Sequence, residues 1–265
     1  MTHAVILRRR AEDDIRIAFQ WYEAQEPALF GHHLVGGPVT FNASRGLAKQ
    51  SHSSFRAEGA ENAGWAQDLL NVNVTHLRPA DYSRQTWKNG GGTTTELARD
   101  ASGERWLWRL SIADVERSGP FSDFTGYRRI ITLLDGPGMA LSFDALPPVV
   151  LDVAYRPFAF DGALRTDCRL LGGPIRDMNL IVDDARVAAS LDVRMPGTMT
   201  PLAFAVHGCA LLHAIRGRFD ARVGEGQVAL QPGDTLRIDN GSGETLSASA
   251  LGADAVLAVI AITRR

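Results

Sequence analysis

The run Trp87-Lys88-Asn89-Gly90-Gly91-Gly92-Thr93-Thr94-Thr95-Glu96 sets an indole, a carboxamide, three bare backbone units and a carboxylate within one short segment. Consecutive glycines permit positive φ and let a ligand or a neighbouring strand approach the main chain closely. The threonines favour a strand, so the segment reads as a polar glycine turn feeding a strand that carries Glu96. Without a ligand, the same residues make a tight hairpin turn with a β-bulge. The stretch Trp106–Val115 alternates, with Trp106, Trp108, Leu110 and Ile112 on one strand face and Leu107, Arg109, Ser111 and Ala113 on the other. If the tryptophan face packs between sheets, Arg109 points into a lumen or cleft. A guanidinium there needs a carboxylate, from a ligand or from the protein, and Glu96 is the protein candidate. The loop Ser118-Gly119-Pro120-Phe121-Ser122 brings hydroxyls close to such a site, or is an ordinary turn.

Other chemistries find little support. There is no Gly-x-Ser-x-Gly, phosphate loop or Cys–His signature. Asp183-Asp184 reads as a hairpin turn between Asn179–Val182 and Arg186–Ala189 rather than as a catalytic carboxylate pair. Gly226 followed, after five residues, by Pro232-Gly233-Asp234 resembles the second sequence motif of the cupin β-barrel, where the Pro-Gly turn joins two strands. A metal-binding cupin would carry a histidine where Arg237 stands. His207 and His213 are six apart with Gly208 between them, and read as structural. The expectation is a metal-free barrel without a cofactor.

These residues must be positioned by a framework the composition can supply. The chain has 265 residues, is 45% hydrophobic and 22% charged, and carries a net charge of -2. A sizeable core is possible, and the absence of a long basic run argues against nucleic-acid binding. Apolar runs are too short to span a bilayer, and Met1–Arg10 is not followed by the apolar region of a signal peptide, so a cytoplasmic protein is expected. Cys168 and Cys209 read as reduced, buried thiols. Residues 11–26 have helical periodicity, and 36–64 have the Gly/Ser/Asn/Ala/His composition of a poorly ordered linker. From about residue 72 short strand-like runs continue almost to the end. Asp135-Gly136-Pro137-Gly138 is expected to join Ile130–Leu134 and Met139–Phe143 as a hairpin. Four short strands are expected at Leu211–Ile215, Arg218–Val223, Gln227–Leu230 and Thr235–Ile238, and a last one at Ala255–Ile262. Two halves suggest themselves, 73–150 and 151–262, meeting near Pro147-Pro148.

Six stretches, in order, resemble the HutD/Ves family: Trp87-x-Asn89-Gly90-Gly91-Gly92-Thr93-x-x-Glu96, Trp108–Ala113, Gly119–Ser122, Gly126-x-x-Arg129, Leu134-x-Gly136 and Gly173–Leu180. The resemblance covers residues 73–262. It implies an all-β, cupin-like double barrel (bicupin) without the cupin metal site, associated with bacterial histidine utilisation and stress response. It also implies a regulatory role through an acidic metabolite such as formylglutamate or urocanate. Arg128 departs from the family, which often has an acid there. Residues 1–35, with Ala11–Ile15 and Trp21–Pro27, resemble the opening helix of ParE/RelE-type plasmid-stabilisation toxins and read as a remnant or a misplaced start, with 36–71 as linker and 72–265 as the bicupin domain.

The expected function is non-catalytic binding of a small carboxylate, with a homodimer as a candidate assembly. Trp87, Asn89, Gly90, Gly91, Glu96, Arg109, Ser111, Ser122 and Arg129 form the expected site. Arg109 and Arg129 would hold the carboxylate; Asn89, Ser111 and the glycine backbone would orient it. The alternative is a metal-independent enzyme acting on a small carboxylic acid, with Glu96 as general base.

Overall fold

The computed structural model describes residues 72–100, 105–144, 146–195 and 202–265. The helix, linker and toxin-like segment expected before residue 72 lie outside these. In chain order the strands are β1 (Asn73–Leu77), β2 (Ser83–Thr86), β3 (Gly92–Arg99), β4 (Trp108–Val115), β5 (Gly119–Pro120) and β6 (Arg128–Asp135). Then come β7 (Met139–Phe143), β8 (Val149–Leu151), β9 (Pro157–Asp161), β10 (Thr166–Leu170), β11 (Ile175–Val182) and β12 (Val187–Arg194). The last are β13 (Leu202–Arg216), β14 (Phe219–Val223), β15 (Gly226–Leu230), β16 (Thr235–Ala250) and β17 (Val256–Arg264). Among the described residues, a 3-10 turn at Pro79–Asp81 is the helical content.

The strands build a double barrel. In the first barrel a six-stranded sheet, β2-β3-β4-β11-β6-β9, faces a four-stranded sheet, β5-β10-β7-β8. Between them pack Val115, Ile131, Leu133, Met139, Leu141 and Phe160. The second barrel is one seven-stranded sheet, β12-β17-β13-β16-β14-β15, with β1 added along β16. A single sheet can enclose a core here because its two long strands bend. β13 and β16 shift register around Gly208, whose φ is 85°, and around Gly241, where a Cβ would strike Val206. Phe219, Leu212, Leu236, Ile238 and Leu246 fill the enclosed space.

A third apolar layer joins the barrels. Trp108, Leu110, Ile112, Met178, Leu180 and Val182 on the back of the six-stranded sheet pack with Val187, Leu191, Leu211, Ala258, Ile260 and Ile262 of the second barrel. Arg237 crosses the same boundary. Its guanidinium makes two bonds to Asp239 (2.7 and 3.0 Å), donates to the Arg99 carbonyl (3.0 Å) and lies 5.0 Å from the Trp108 ring centroid.

Several expected connections differ. The seam falls at Asp183–Arg186, not near Pro147-Pro148, because β11 still pairs with β4 and β6 while β12 pairs with β17. Asp183-Asp184 is therefore a crossover between barrels rather than a hairpin turn, and Asp183 anchors it by accepting from Arg186 Nε at 2.9 Å. Asp135–Gly138 is likewise a corner between two sheets, since β6 pairs with β11 and β9, and β7 with β10 and β8. Ile130–Leu134 is buried throughout, and a strand covered on both faces carries no alternation to reveal its partners. β13 and β16 are much longer than the strands expected there, whereas β14 and β15 do form a hairpin.

The Pro232-Gly233-Asp234 turn is tied to the start of the described chain. Tyr82 donates its hydroxyl to the Gly233 carbonyl at 2.7 Å and lies 2.8 Å from Thr235 Oγ1. His76 Nε2 sits 2.9 Å from Asp234 Oδ2. Burial pushes the Tyr82 phenol up to about 12 and the His213 imidazole, which bonds Thr235 Oγ1, down to about 4, so both are neutral structural groups at neutral pH.

A chain starting at residue 71 keeps every described strand and is expected to melt cooperatively, within about 2 kcal/mol of the full chain. A chain starting at residue 79 loses β1, leaving one edge of Thr235–Asp239 unpaired and Asp234 without His76. It should melt markedly lower. Thermal melts followed by near-UV circular dichroism check this, and equal melting of the two truncations would contradict the role given to β1.

Candidate ligand-binding site

The register of the six-stranded sheet determines which side chains meet inside the first barrel. With Trp108, Leu110 and Ile112 buried in the layer between barrels, Arg109, Ser111 and Ala113 of β4 face the lumen. On β11 the same alternation sends Met178, Leu180 and Val182 outward and Asp177, Asn179 and Ile181 inward. Cross-strand pairing then forms rows. Arg109, Ile181, Arg129 and Phe160 are partners across β4, β11, β6 and β9. Ser83, Glu96, Ser111 and Asn179 form the adjacent row, and Gln85, Thr94, Ala113 and Asp177 the next. Arg109 and Arg129 stand on strands two apart, so their backbones are about 9–10 Å apart. Their side chains line one cavity of about 450 Å³.

Both arginines are held by aromatic rings rather than by acids. The Arg129 guanidinium lies 4.7, 5.0 and 5.3 Å from the ring centroids of Phe121, Phe160 and Phe124. Arg109 lies 5.4 Å from Phe124 and 5.6 Å from Trp106, so Phe124 contacts both cations. Arg129 is 5% exposed and donates to Asn179 Oδ1 at 2.7 Å. The Nε of each arginine is buried without a hydrogen-bond partner. Burial lowers the affinity of both guanidiniums for their protons. For Arg129 it does so to about 10, partly offset by the Asp177 charge; for Arg109, Glu96 offsets the shift. Both stay charged at neutral pH.

Asp177 completes the inner wall. It is 1% exposed; Oδ1 accepts from the Asn179 amide and Oδ2 is buried without a partner. Burial raises its carboxyl to about 7, against the opposing pull of Arg129 and the Asn179 bond. The nearby Cys168 thiol is pushed up to about 12 by burial and is protonated; both cysteines are free thiols, Cys168 buried and Cys209 partly so.

Of the residues expected from the sequence, Trp87, Asn89, Glu96, Arg109, Ser111, Ser122 and Arg129 line this cavity. Gly90 and Gly91 do not. They form the hairpin turn joining β2 and β3, with Gly90 at φ 63° and its amide donating to the Trp87 carbonyl. The Gly91 amide is taken by Asn89 Oδ1 at 3.0 Å. The Arg109–Glu96 pair is not formed either. A β-bulge between Glu96 and Ala98 sets Arg99 opposite Arg109, and Glu96 Oε1 lies 3.3 Å from Arg99 Nε. Trp106 precedes β4 and does not share the Trp108 face; it stacks on Tyr127 with centroids 4.1 Å apart.

Sequence reasoning missed Asp177, Asn179, Phe121 and Phe124 as site residues. The first two were visible as polar residues alternating with Met178 and Leu180 on an otherwise buried strand. Phe121 lies in the Gly119–Ser122 stretch, while nothing near Phe124 signals its contacts.

A cupin-type metal does not fit the donors present. The second barrel's interior is aliphatic and aromatic, with Leu236 and Ile238 flanking Arg237, which lies over Trp108 outside it. In the first barrel the lumen sets Arg109 and Arg129 beside Glu96 and Asp177, and among the described residues no three His, Cys, Asp or Glu side chains come together as a ligand set.

The Asp177 carboxyl gives stability a pH dependence of definite sign. The folded protein keeps this proton up to about pH 7, whereas the unfolded chain releases it near the ordinary value of 3.8. Its contribution is full at the acid end of that window and is lost as pH rises through it, with a slope of at most about 1.4 kcal/mol per pH unit. Urea melts of the parent and Asp177→Asn at several pH values measure this. The variant should lose that component, and identical pH profiles would contradict the assignment.

The HutD family sequence model matches residues 79–258, spanning both barrels. An uncharacterized 21.2 kDa protein in the hutC 3' region of Pseudomonas putida is 53% identical over 118 residues, 43% of this chain and 61% of that protein. Protein Ves of Escherichia fergusonii is 34% identical over 98 residues, 36% of this chain and 50% of the relative. The chain thus spans half to three-fifths of the length of these curated relatives. A crystal structure of a conserved protein of unknown function from Pseudomonas aeruginosa PAO1 superposes with a TM-score of 0.66 at 34% identity, covering 73% of this chain and 100% of that one. HutD from Pseudomonas fluorescens SBW25 superposes with a TM-score of 0.63 at 36% identity, with the same coverage. Bacillus subtilis oxalate decarboxylase, 9% identical over 72% of this chain and 77% of its own, shares the cupin-like fold alone at a TM-score of 0.53. Among the described residues no helix is long and apolar enough to cross a membrane. With the family model matching well over half of its length and two structural relatives sharing its double barrel at over 30% identity, this chain belongs to the HutD family.

Proposed function

We propose that this protein binds a small carboxylate in the lumen of its first barrel, and acts through that binding as a non-catalytic regulator in histidine utilisation or stress response. The supporting observation is the pair of guanidiniums. Arg109 and Arg129 line one cavity, each has a buried Nε without a partner, and neither forms an ion pair among the described residues. Removing a cation from water without a counter-charge costs several kcal/mol, and an anionic ligand offsets that cost. Arginine's planar fork suits a carboxylate because it can bond both oxygens. Ser111, Ser122, Asn179 and Asn89 add neutral polar groups to the same wall, which Phe121 and Phe124 also line. Membership of the HutD family and its association with histidine utilisation favour acids of that pathway, formylglutamate- or urocanate-like, as the ligand in the cytoplasm.

One observation favours the enzymatic alternative. Asp177, with a carboxyl poised at about 7, suits general acid–base chemistry better than Glu96, which is engaged with Arg99. Turnover of candidate acids by the purified protein, lost in Asp177→Asn, would favour that reading.

Isothermal titration against formate, urocanate and N-formylglutamate tests the binding reading. Arg109→Met should weaken binding by about 2–4 kcal/mol, the range for removing one partner of a buried charge pair. Because Arg109 has no acid partner among the described residues, the free variant should melt at or above the parent temperature. A lowered melting temperature with unchanged affinity would contradict the proposal.

A further inference from the structure

Carboxylate recognition by two arginines leaves Asp177 unexplained. A carboxylate fixed beside an anion site opposes the anion, yet this one is 1% exposed, lines the cavity and keeps Oδ2 buried without a partner. Its Oδ1 is already committed to the Asn179 amide, and Asn179 in turn holds Arg129. The polar chain thus runs Arg129–Asn179–Asp177 and ends at a bare oxygen.

The charged and titratable groups around it are few. β4 contributes Arg109 to the cavity wall and Asp114, whose charge further raises the Asp177 carboxyl. β6 contributes Arg129, β10 the protonated Cys168 thiol, and β3 Glu96, which is paired with Arg99. On its own strand, Arg176 is paired with Asp114 at 3.0 Å. No cation makes an ion pair with Asp177 among the described residues; Arg129 and the Asn179 bond favour its charge without a direct ionic contact, so the repulsion from a second anion meets no ion pair there.

We propose that Asp177 is itself a ligand contact and takes up a proton from solvent when a carboxylate enters, donating its Oδ2–H to a ligand oxygen. The balance is simple. One proton joins one Asp177 carboxylate oxygen, no covalent bond to the ligand forms, and the ligand keeps its single negative charge. Asp177 and the ligand then form an acid–anion pair, a short charge-assisted hydrogen bond flanked by the two guanidiniums. The arrangement selects a ligand that presents an anionic oxygen to the inner wall and disfavours one that presents an ammonium there. This inference rests on the carboxylate reading.

Isothermal titration with formate and N-formylglutamate, between about pH 7 and 9 in two buffers of different ionisation enthalpy, tests it. At the alkaline end, uptake should approach about one proton per ligand, with Kd rising about tenfold per pH unit. Asp177→Asn, which keeps the shape and can still donate, should bind with no proton uptake and a flat pH profile. Binding of either probe by the parent protein without uptake overturns the proposal while sparing the carboxylate reading. So does uptake that persists in Asp177→Asn. Failure of both probes to bind at any pH contradicts the carboxylate reading and this proposal with it. Should Asp177→Asn not fold, the parent's own pH profile decides.

Discussion

The two faces of β4 cannot both be satisfied by one barrel, and much of the structure follows from that constraint. Trp108, Leu110 and Ile112 have to leave water, a stabilisation of roughly 2 kcal/mol each. The first barrel cannot cover them, because they point away from its lumen. The second barrel does, with Leu211, Ala258, Ile260 and Ile262 among the covering residues. Once that layer is sealed, the pleat fixes Arg109, Ser111 and Ala113 on the inside. β11 repeats the division beside it. A slip of one residue between the strands would bury Arg109 among aliphatic side chains and expose Leu110, so the apolar layer protects the register of the polar site. Arg237, clasped by Asp239 and laid over Trp108, ties the barrels together at the position where a metal cupin carries a histidine.

The same division explains how two unpaired guanidiniums are tolerated. The Phe121, Phe124, Phe160 and Trp106 rings and the Asn179 amide touch them and hold a cation without neutralising it, while Glu96 and Asp177 act through charge without an ion pair. Asn179 links Arg129 to Asp177, placing an amide dipole where a direct ion pair would have cancelled the site's charge. Taking a cation out of water without a counter-charge costs stability, and an anion placed beside it offsets that cost. Strain of this kind is characteristic of sites kept for binding rather than for stability.

How much of this was legible in the sequence varied with the type of signal. The alternation in Trp106–Val115 gave both faces of β4, except for Trp106, which precedes the strand, and placed Arg109 inside, because strand geometry converts period two directly into two environments. The all-β double barrel was legible from turn spacing together with the six family-like stretches. Sheet partners were not: β6 is buried on both faces, and a continuous apolar run is silent about its neighbours. The Glu96 pairing was misjudged because a one-residue bulge shifts it against Arg109, and bulges depend on tertiary fit. The glycine run could be a ligand cradle or a tight hairpin turn on sequence alone; it forms the turn, with the Gly90 and Gly91 amides taken by Trp87 and Asn89. Asp177 was quoted within a stretch of family-like sequence, yet its significance lies in burial and an empty hydrogen-bonding position, which appear only when strands are assembled.

Everything proposed for the first barrel's lumen depends on its being an anion site built on Arg109 and Arg129. A crystal structure of the protein grown with saturating N-formylglutamate tests it most directly. A carboxylate group should lie between the two guanidiniums, with one oxygen within hydrogen-bond reach of Asp177. Ligand bound elsewhere on the chain, with both guanidiniums left facing water, would contradict it.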